Sequence, residues 1–209
     1  MQLYYWSNMI VIDVETSGTD PYKHSILSIG AIDFSNPERQ FYQECQIEKD
    51  KEYTEEALGV NGFKREELND PKKKTLESVL NEFIVWIKPI KDKTIGGHNV
   101  NFDASFLNYS FKKYNIGFSF GHRVIDTHSL VYASIISRGL NVPIKNEMTD
   151  INSDYVFNYV GLPAESKPHN GLNGAKMEAE ALSRLILGKN LLEEYTKYKI
   201  PPIFQKYKV

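Results

Sequence analysis

Met9-Ile10-Val11-Ile12-Asp13-Val14-Glu15-Thr16 decides how this chain is read, because four apolar residues lead without a break into two carboxylates spaced two apart. Small and turn-forming residues, Thr16 through Pro21, follow at once. The pattern is that of a buried strand with an acidic tip. Successive strand side chains point to opposite faces, so Asp13 and Glu15 share one side and Val14 takes the other. Two carboxylates that close repel each other, and burial penalises their charge further unless a cation lies between them. A divalent metal ion is the obvious cation. The spacing by itself is common, and Asp50-Lys51-Glu52 repeats it in a plainly polar stretch.

Outward from this strand, residues 25–34 read as a second strand and Phe41 to Ile47 as a third with one wet face, joined by short turns. Such a run predicts an antiparallel meander whose most apolar member, the first, lies deepest. Apolar residues at 76, 79, 80, 83, 84 and 87 follow the three-and-four spacing of a helix, which Pro89 ends. Glu55 to Leu58 reads as a short helix. Thr94-Ile95-Gly96-Gly97 is a short strand, and a helix carrying Phe106, Leu107 and Phe111 is expected to start near Asp103. A strand ending at Ile125-Asp126, a helix through Leu130 and Ile135, a helix over 154–160 and a last helix over about 174–187 complete the core. Residues 138–149 carry no period and read as a mobile loop. Strands alternating with helices predict an α/β fold, a mixed sheet covered by helices.

The 209 residues, 41% hydrophobic and 25% charged, fit one domain, with its core over residues 9–188 and a tail over 189–209. Net charge is −2, from 25 basic and 27 acidic side chains. That is not the footprint of a duplex-coating protein, though it leaves room for an enzyme that grips a few nucleotides. Lys72-Lys73-Lys74 reads as a solvated lead-in to a helix. The single cysteine, Cys45, excludes an intramolecular disulfide framework and reads as a packed strand residue. Residues 1–6 carry no basic leader and no run reaches membrane-spanning length, so a soluble, cytoplasmic protein is expected.

Two further groups of residues gather where loops meet helices. His98-Asn99-Val100-Asn101-Phe102-Asp103 follows the glycine-bearing strand, and an Asp at that point has an ordinary task as a helix cap. His169-Asn170-Gly171-Leu172-Asn173-Gly174-Ala175 opens the last helix. Taken with Asp13-x-Glu15, in this order and on these elements, they resemble the three motifs of the DEDDh 3′-5′ exonuclease superfamily, which includes ribonuclease T and the proofreading subunit of bacterial replicative DNA polymerase. The resemblance covers roughly residues 9–188. It implies a ribonuclease H-like fold, a mixed five-stranded sheet flanked by helices, and hydrolysis of terminal phosphodiesters to 5′-monophosphates. It also implies two divalent ions, magnesium or manganese, held about 3.5–4 Å apart by four carboxylates. By motif, Asp13, Glu15 and Asp103 are the metal ligands and His169 is the general base, a role that suits an imidazole titrating near neutrality. Thr16 falls where the substrate 3′ end is met, and Asn99 is a second substrate-side candidate that reads more naturally as a loop-shaping residue. The implied partner is a single-stranded DNA or RNA 3′ end. Homodimers are common in the family, but no isolated apolar patch assigns an interface, and nothing implies a membrane.

One position departs from the family. The aspartate expected five residues after the histidine is Gly174, and the usual small residue before it is Gly171. The fourth metal carboxylate is missing. Three accounts compete: an inactive relative that still binds nucleic acid or a protein partner, an active enzyme in which another carboxylate substitutes, or an altered site. Glu178 lies one turn further along the same helix face, about 5–6 Å from Gly174 between side-chain roots. That reach looks short, and solvated helix glutamates are the favoured reading of Glu178 and Glu180. Asp126 ends a strand, as ligands of such sheets do, and a cap for the following helix is at least as good a reading.

Overall fold

The computed structural model describes residues 9–204; residues 1–6 and the last five of the tail, on which two expectations above rest, lie outside them. Its centre is a five-stranded sheet in the order β3-β2-β1-β4-β5. The strands are β1 (Met9–Thr16), β2 (Ile26–Asp33), β3 (Gln40–Glu44), β4 (Thr94–Gly97) and β5 (Val124–Asp126). β1 to β3 form the expected antiparallel meander, and β4 and β5 add in parallel beside β1. The most apolar strand is therefore the middle one.

The helices are α1 (Glu55–Asn61), α2 (Leu76–Ile87), α3 (Asn101–Lys113), α4 (Thr127–Ser137), α5 (Ser153–Tyr159) and α6 (Gly171–Leu187). They cover the two faces of the sheet, and the alternation of β1 sorts its residues between them. Ile10, Ile12 and Val14 join Leu80, Phe83, Leu107 and Phe111 in the core under α2 and α3. Met9 and Val11 join Val131, Val156, Ala179 and Leu182 under α4, α5 and α6. By the same two-residue period Asp13 and Glu15 belong to the α6 side. The pairing Asp13↔Gly30 brings a glycine beside the first carboxylate. A Cβ on Gly30 would lie 2.0 Å from the Gly171 carbonyl carbon. The start of α6 thus rests directly on β2, next to Asp13.

Local chemistry sets the ends of these helices. Thr54, Thr75 and Asn170 cap α1, α2 and α6 by accepting backbone N–H groups of the first turn. Gly188, at φ 66°, ends α6 in the left-handed conformation that suits glycine. Both α3 and α6 begin earlier than the hydrophobic pattern indicates, at Asn101 and Gly171. Their first turns are polar and carry no period.

Residues 138–149 are not a structureless loop. They contain the two-stranded hairpin β6 (Ile144–Lys145) and β7 (Met148–Thr149), whose turn residues Asn146 and Glu147 both take positive φ, 49° and 63°. That is the signature of a primed turn. The tail folds back as far as it is described: Leu192, Tyr195 and Phe204 are buried against the α6 side of the core.

Candidate active site

The tip of β1, the start of α3 and the middle of α6 meet on the α6 face of the sheet. Glu15 is 8% exposed and Asp103 4%. Although Asp103 stands in the first turn of α3, it does not cap it. Its Oδ1 accepts a 2.8 Å hydrogen bond from the backbone N–H of Val14, between the two acidic residues of the strand. Val100, Asn101 and Phe102 reach that position because Asn99 takes a φ of 52°, turning the chain from β4 into α3. Asn99 itself is exposed. Thr16 spends its hydroxyl on the Gly18 carbonyl at 2.7 Å, and its own carbonyl accepts the Asn61 amide.

α6 adds a carboxylate that the sequence reading placed in solvent. Glu178 is 6% exposed, and its Oε2 has no hydrogen-bond partner. The Oε2 atom lies over Gly97 of β4, 2.8 Å from where a Cβ on that glycine would be. Glu180 is fully buried as well, paired with Arg184 at 2.8 Å and accepting the backbone N–H groups of Leu191 and Leu192. Both solvated readings are therefore overturned. Glu178 faces the sheet, over Gly97, and Glu180 is covered by the start of the tail, whose backbone N–H groups it accepts.

The electrostatics follow from this crowding. Burial, then Glu15, Asp103 and Glu165, push the Asp13 carboxyl well above the carboxylate range. Burial followed by Asp13 and Asp103 does the same to Glu178. Glu15 is pushed up to about 7 by burial and then Glu165, and Asp103 to about 8, mainly by burial. Four neighbouring carboxyl groups are thus all pushed upward, by burial first, with nearby carboxylates adding to it. Among the described residues, no three His, Cys, Asp or Glu side chains already converge as a closed cation cage. The donors are nevertheless hard carboxylate oxygens, one of them an orphan, and that set suits magnesium or manganese.

His169 stands on the loop before α6, tied by its backbone N–H to the Val60 carbonyl. Its Nδ1 is 3.6 Å from Oε2 of Glu165. A cleft of about 340 Å³ runs between it and Glu15, lined also by Tyr42, Asn61 and Phe63. Glu165 is absent from the sequence reading, and no spacing rule singles out a glutamate in the aperiodic stretch before the last motif. Asp126 proves to be the cap of α4, with Oδ1 accepting from His128 and Ser129 and Oδ2 from Val100. At Gly174 a Cβ would fall 1.8 Å from Asp13 Oδ2. The Asp13 carboxylate occupies the room that a side chain there would take.

The RNase_T family model, described as an exonuclease, matches residues 10–182. The 3′-5′ DNA exonuclease Cap18 of Escherichia coli is 30% identical over 182 residues, 85% of this chain and 90% of that protein. The PolC-type DNA polymerase III of Thermotoga maritima is 27% identical over 198 residues, 92% of this chain and 13% of the polymerase. The chain thus spans a small part of that relative. Among solved structures, the nuclease domain of 3′hExo, a DEDDh family member bound to rAMP, matches with a TM-score of 0.66 at 17% identity, over 95% of this chain and 98% of that one. E. coli exonuclease I in complex with a dT13 oligonucleotide matches with a TM-score of 0.66 at 17% identity, over 86% of this chain and 41% of that one. With the same sheet and a match that runs from β1 into α6, the chain belongs to the RNase_T exonuclease family.

Proposed function

We propose that this protein is a metal-dependent 3′-5′ exonuclease that removes 5′-monophosphates from single-stranded nucleic acid ends. The observation that carries the reading is the meeting of Asp13, Glu15 and Asp103, drawn from two distant segments, in one acidic nest in which Glu15 and Asp103 are buried and Asp13 is half-buried. Such a nest is costly unless divalent cations neutralise it. Asp13, Glu15 and Asp103 would hold two magnesium or manganese ions, which when bound supply activation of the attacking water and countercharge for the leaving oxygen. His169 takes the proton of that water at Nε2 while Glu165 faces Nδ1. The water oxygen bonds to the terminal phosphorus, the bond from phosphorus to the preceding 3′ oxygen breaks, and that oxygen is released with a proton. The Asp103 hydrogen bond to Val14 keeps the strand tip and the α3 carboxylate in register. The cleft between Glu15 and His169 is of a size for the terminal nucleotide, at the small end of ligand cavities.

A direct test uses a 5′-labelled single strand, as DNA and as RNA, with manganese. Shortening from the 3′ end one nucleotide at a time, blocked by a 3′-phosphate, is expected. Failure of this chain and of Gly174→Asp to shorten either polymer would overturn the reading. A second reading, a non-catalytic module that binds nucleic acid ends or a protein partner, is favoured by Gly174 alone. It predicts retention of single strands without cleavage.

A further inference from the structure

We infer that Glu178 supplies the fourth metal-binding carboxylate in place of the residue missing at Gly174, moving that ligand one helical turn along α6; the inference rests on the metal-dependent reading above. Each other candidate is already committed. Asp126 uses both oxygens on backbone N–H groups of α4 and of Val100. Glu180 is locked by Arg184 and two backbone amides. Glu165 accepts from Asn173 and faces His169. Glu178 alone among these keeps a buried oxygen without a partner, and Asp13 and Asp103 are the carboxylates whose fields act on it most.

The surroundings accommodate the shift. Gly174 and Glu178 share one face of α6, about 5–6 Å apart at their roots. Without a side chain at 174, Asp13 leans toward α6, to within 1.8 Å of where that Cβ would be. Glu178, longer than aspartate by one methylene, extends over β4 into the gap left by Gly97, where a Cβ would stand 2.8 Å from Oε2. Gly97 therefore makes room for the substitute carboxylate, and Asp13 is the carboxylate whose charge acts on it most strongly. Gly174 is then no evidence of a dead site.

The test is manganese binding to the full chain, by calorimetry or by the spin-resonance signal of free manganese, for the unaltered protein and for Glu178→Gln, Gly97→Ala, Gly174→Asp, the Glu178→Gln/Gly174→Asp pair and Asp13→Asn. Glu178→Gln is expected to weaken binding by at least about tenfold. Gly97→Ala, which keeps every charge but crowds Oε2, is expected to weaken it in the same direction. Gly174→Asp in the Glu178→Gln background is expected to restore most of the loss, because Asp13 can swing aside. Unchanged affinity in Glu178→Gln, with binding lost in Asp13→Asn, would overturn the role of Glu178 and leave the metal-dependent reading standing. Binding by Gly174→Asp but not by the unaltered chain would do the same. If no protein in the set binds manganese, or if Asp13→Asn binds as well as the unaltered chain, both readings fall together.

Discussion

Asp103 and Val14, 89 positions apart in sequence, are joined by a 2.8 Å hydrogen bond from the Val14 backbone N–H to the Asp103 carboxylate. The bond enters β1 between its two acidic residues, so one side chain both anchors α3 to the strand and contributes charge to the nest. These two tasks separate by substitution. Asp103→Asn keeps an oxygen for Val14 and removes the ionisable group, whereas Asp103→Ala leaves a buried N–H without a partner. Metal-free Asp103→Asn is expected to be at least as stable as the unaltered chain, and Asp103→Ala less stable than Asp103→Asn by about 1–3 kcal/mol. Urea unfolding in the presence of a chelator measures the difference. Equal stability of the two variants would show that the bond contributes nothing.

Stability without metal depends on pH in a direction fixed by Glu15. Burial and Glu165 raise its carboxyl from 4.5 to about 7. Between those values the folded protein holds a proton that the unfolded chain has released, so the folded state is favoured most below about pH 4.5 and loses that advantage as pH rises through 7. Asp103, raised to about 8, extends the fall in the same direction. The loss attributable to Glu15 is at most about 3 kcal/mol. Melting temperatures in chelator are expected to decline from pH 5 to pH 9, and saturating manganese is expected to remove most of the decline. A melting temperature that climbs over this range would contradict the upward shift of these carboxyls.

Arg184 should matter to folding and not to chemistry. It is fully buried on α6, paired with Glu180, and donates to the carbonyls of Val160, Gly161, Tyr195 and Tyr198 and to Asn190. One guanidinium thus fastens the end of α5 and the tail to the helix that carries the site. Arg184→Ala leaves Glu180 charged and without its cation, at an expected cost of about 3–5 kcal/mol. Denaturant unfolding measures it, and a loss below 1 kcal/mol would refute this account of the tail.

His169 is expected to act on rate and not on metal affinity. Replacing it with alanine should slow mononucleotide release by about 10²–10⁴-fold, while manganese binding stays as in the unaltered chain. A variant that loses metal as well would place His169 among the ligands. Full activity in the variant would remove it from the reaction.

Much of this architecture was legible in the chain because burial leaves a period. The meander, α2 and the central place of β1 follow from two-residue and three-to-four-residue spacings whose apolar members the structure buries under α2 and α3. Asp13, Glu15 and Asp103 stand out in the chain through their motifs, and the structure places Asp103 against the strand between the other two. The elements that escaped lack such a pattern. β6 and β7 are two residues each, exposed, and turned by Asn146-Glu147 instead of a glycine-bearing pair. Glu178 and Glu180 carry a surface residue type on a helix that is covered on both sides, by the sheet and by a tail whose docking no local spacing announces. Glu165 faces His169 only because the loop before α6 folds back onto α1.

The central claim is that the acidic nest cuts nucleic acid with the help of divalent metal. It is tested most directly by following release of mononucleotides from a 3′-labelled single strand by the unaltered chain, Gly174→Asp and Asp13→Ala, each with manganese and with chelator. Release by the unaltered chain that requires manganese and is abolished in Asp13→Ala is the predicted result. Release that persists in chelator or in Asp13→Ala, or no release by either the unaltered chain or Gly174→Asp, would contradict it.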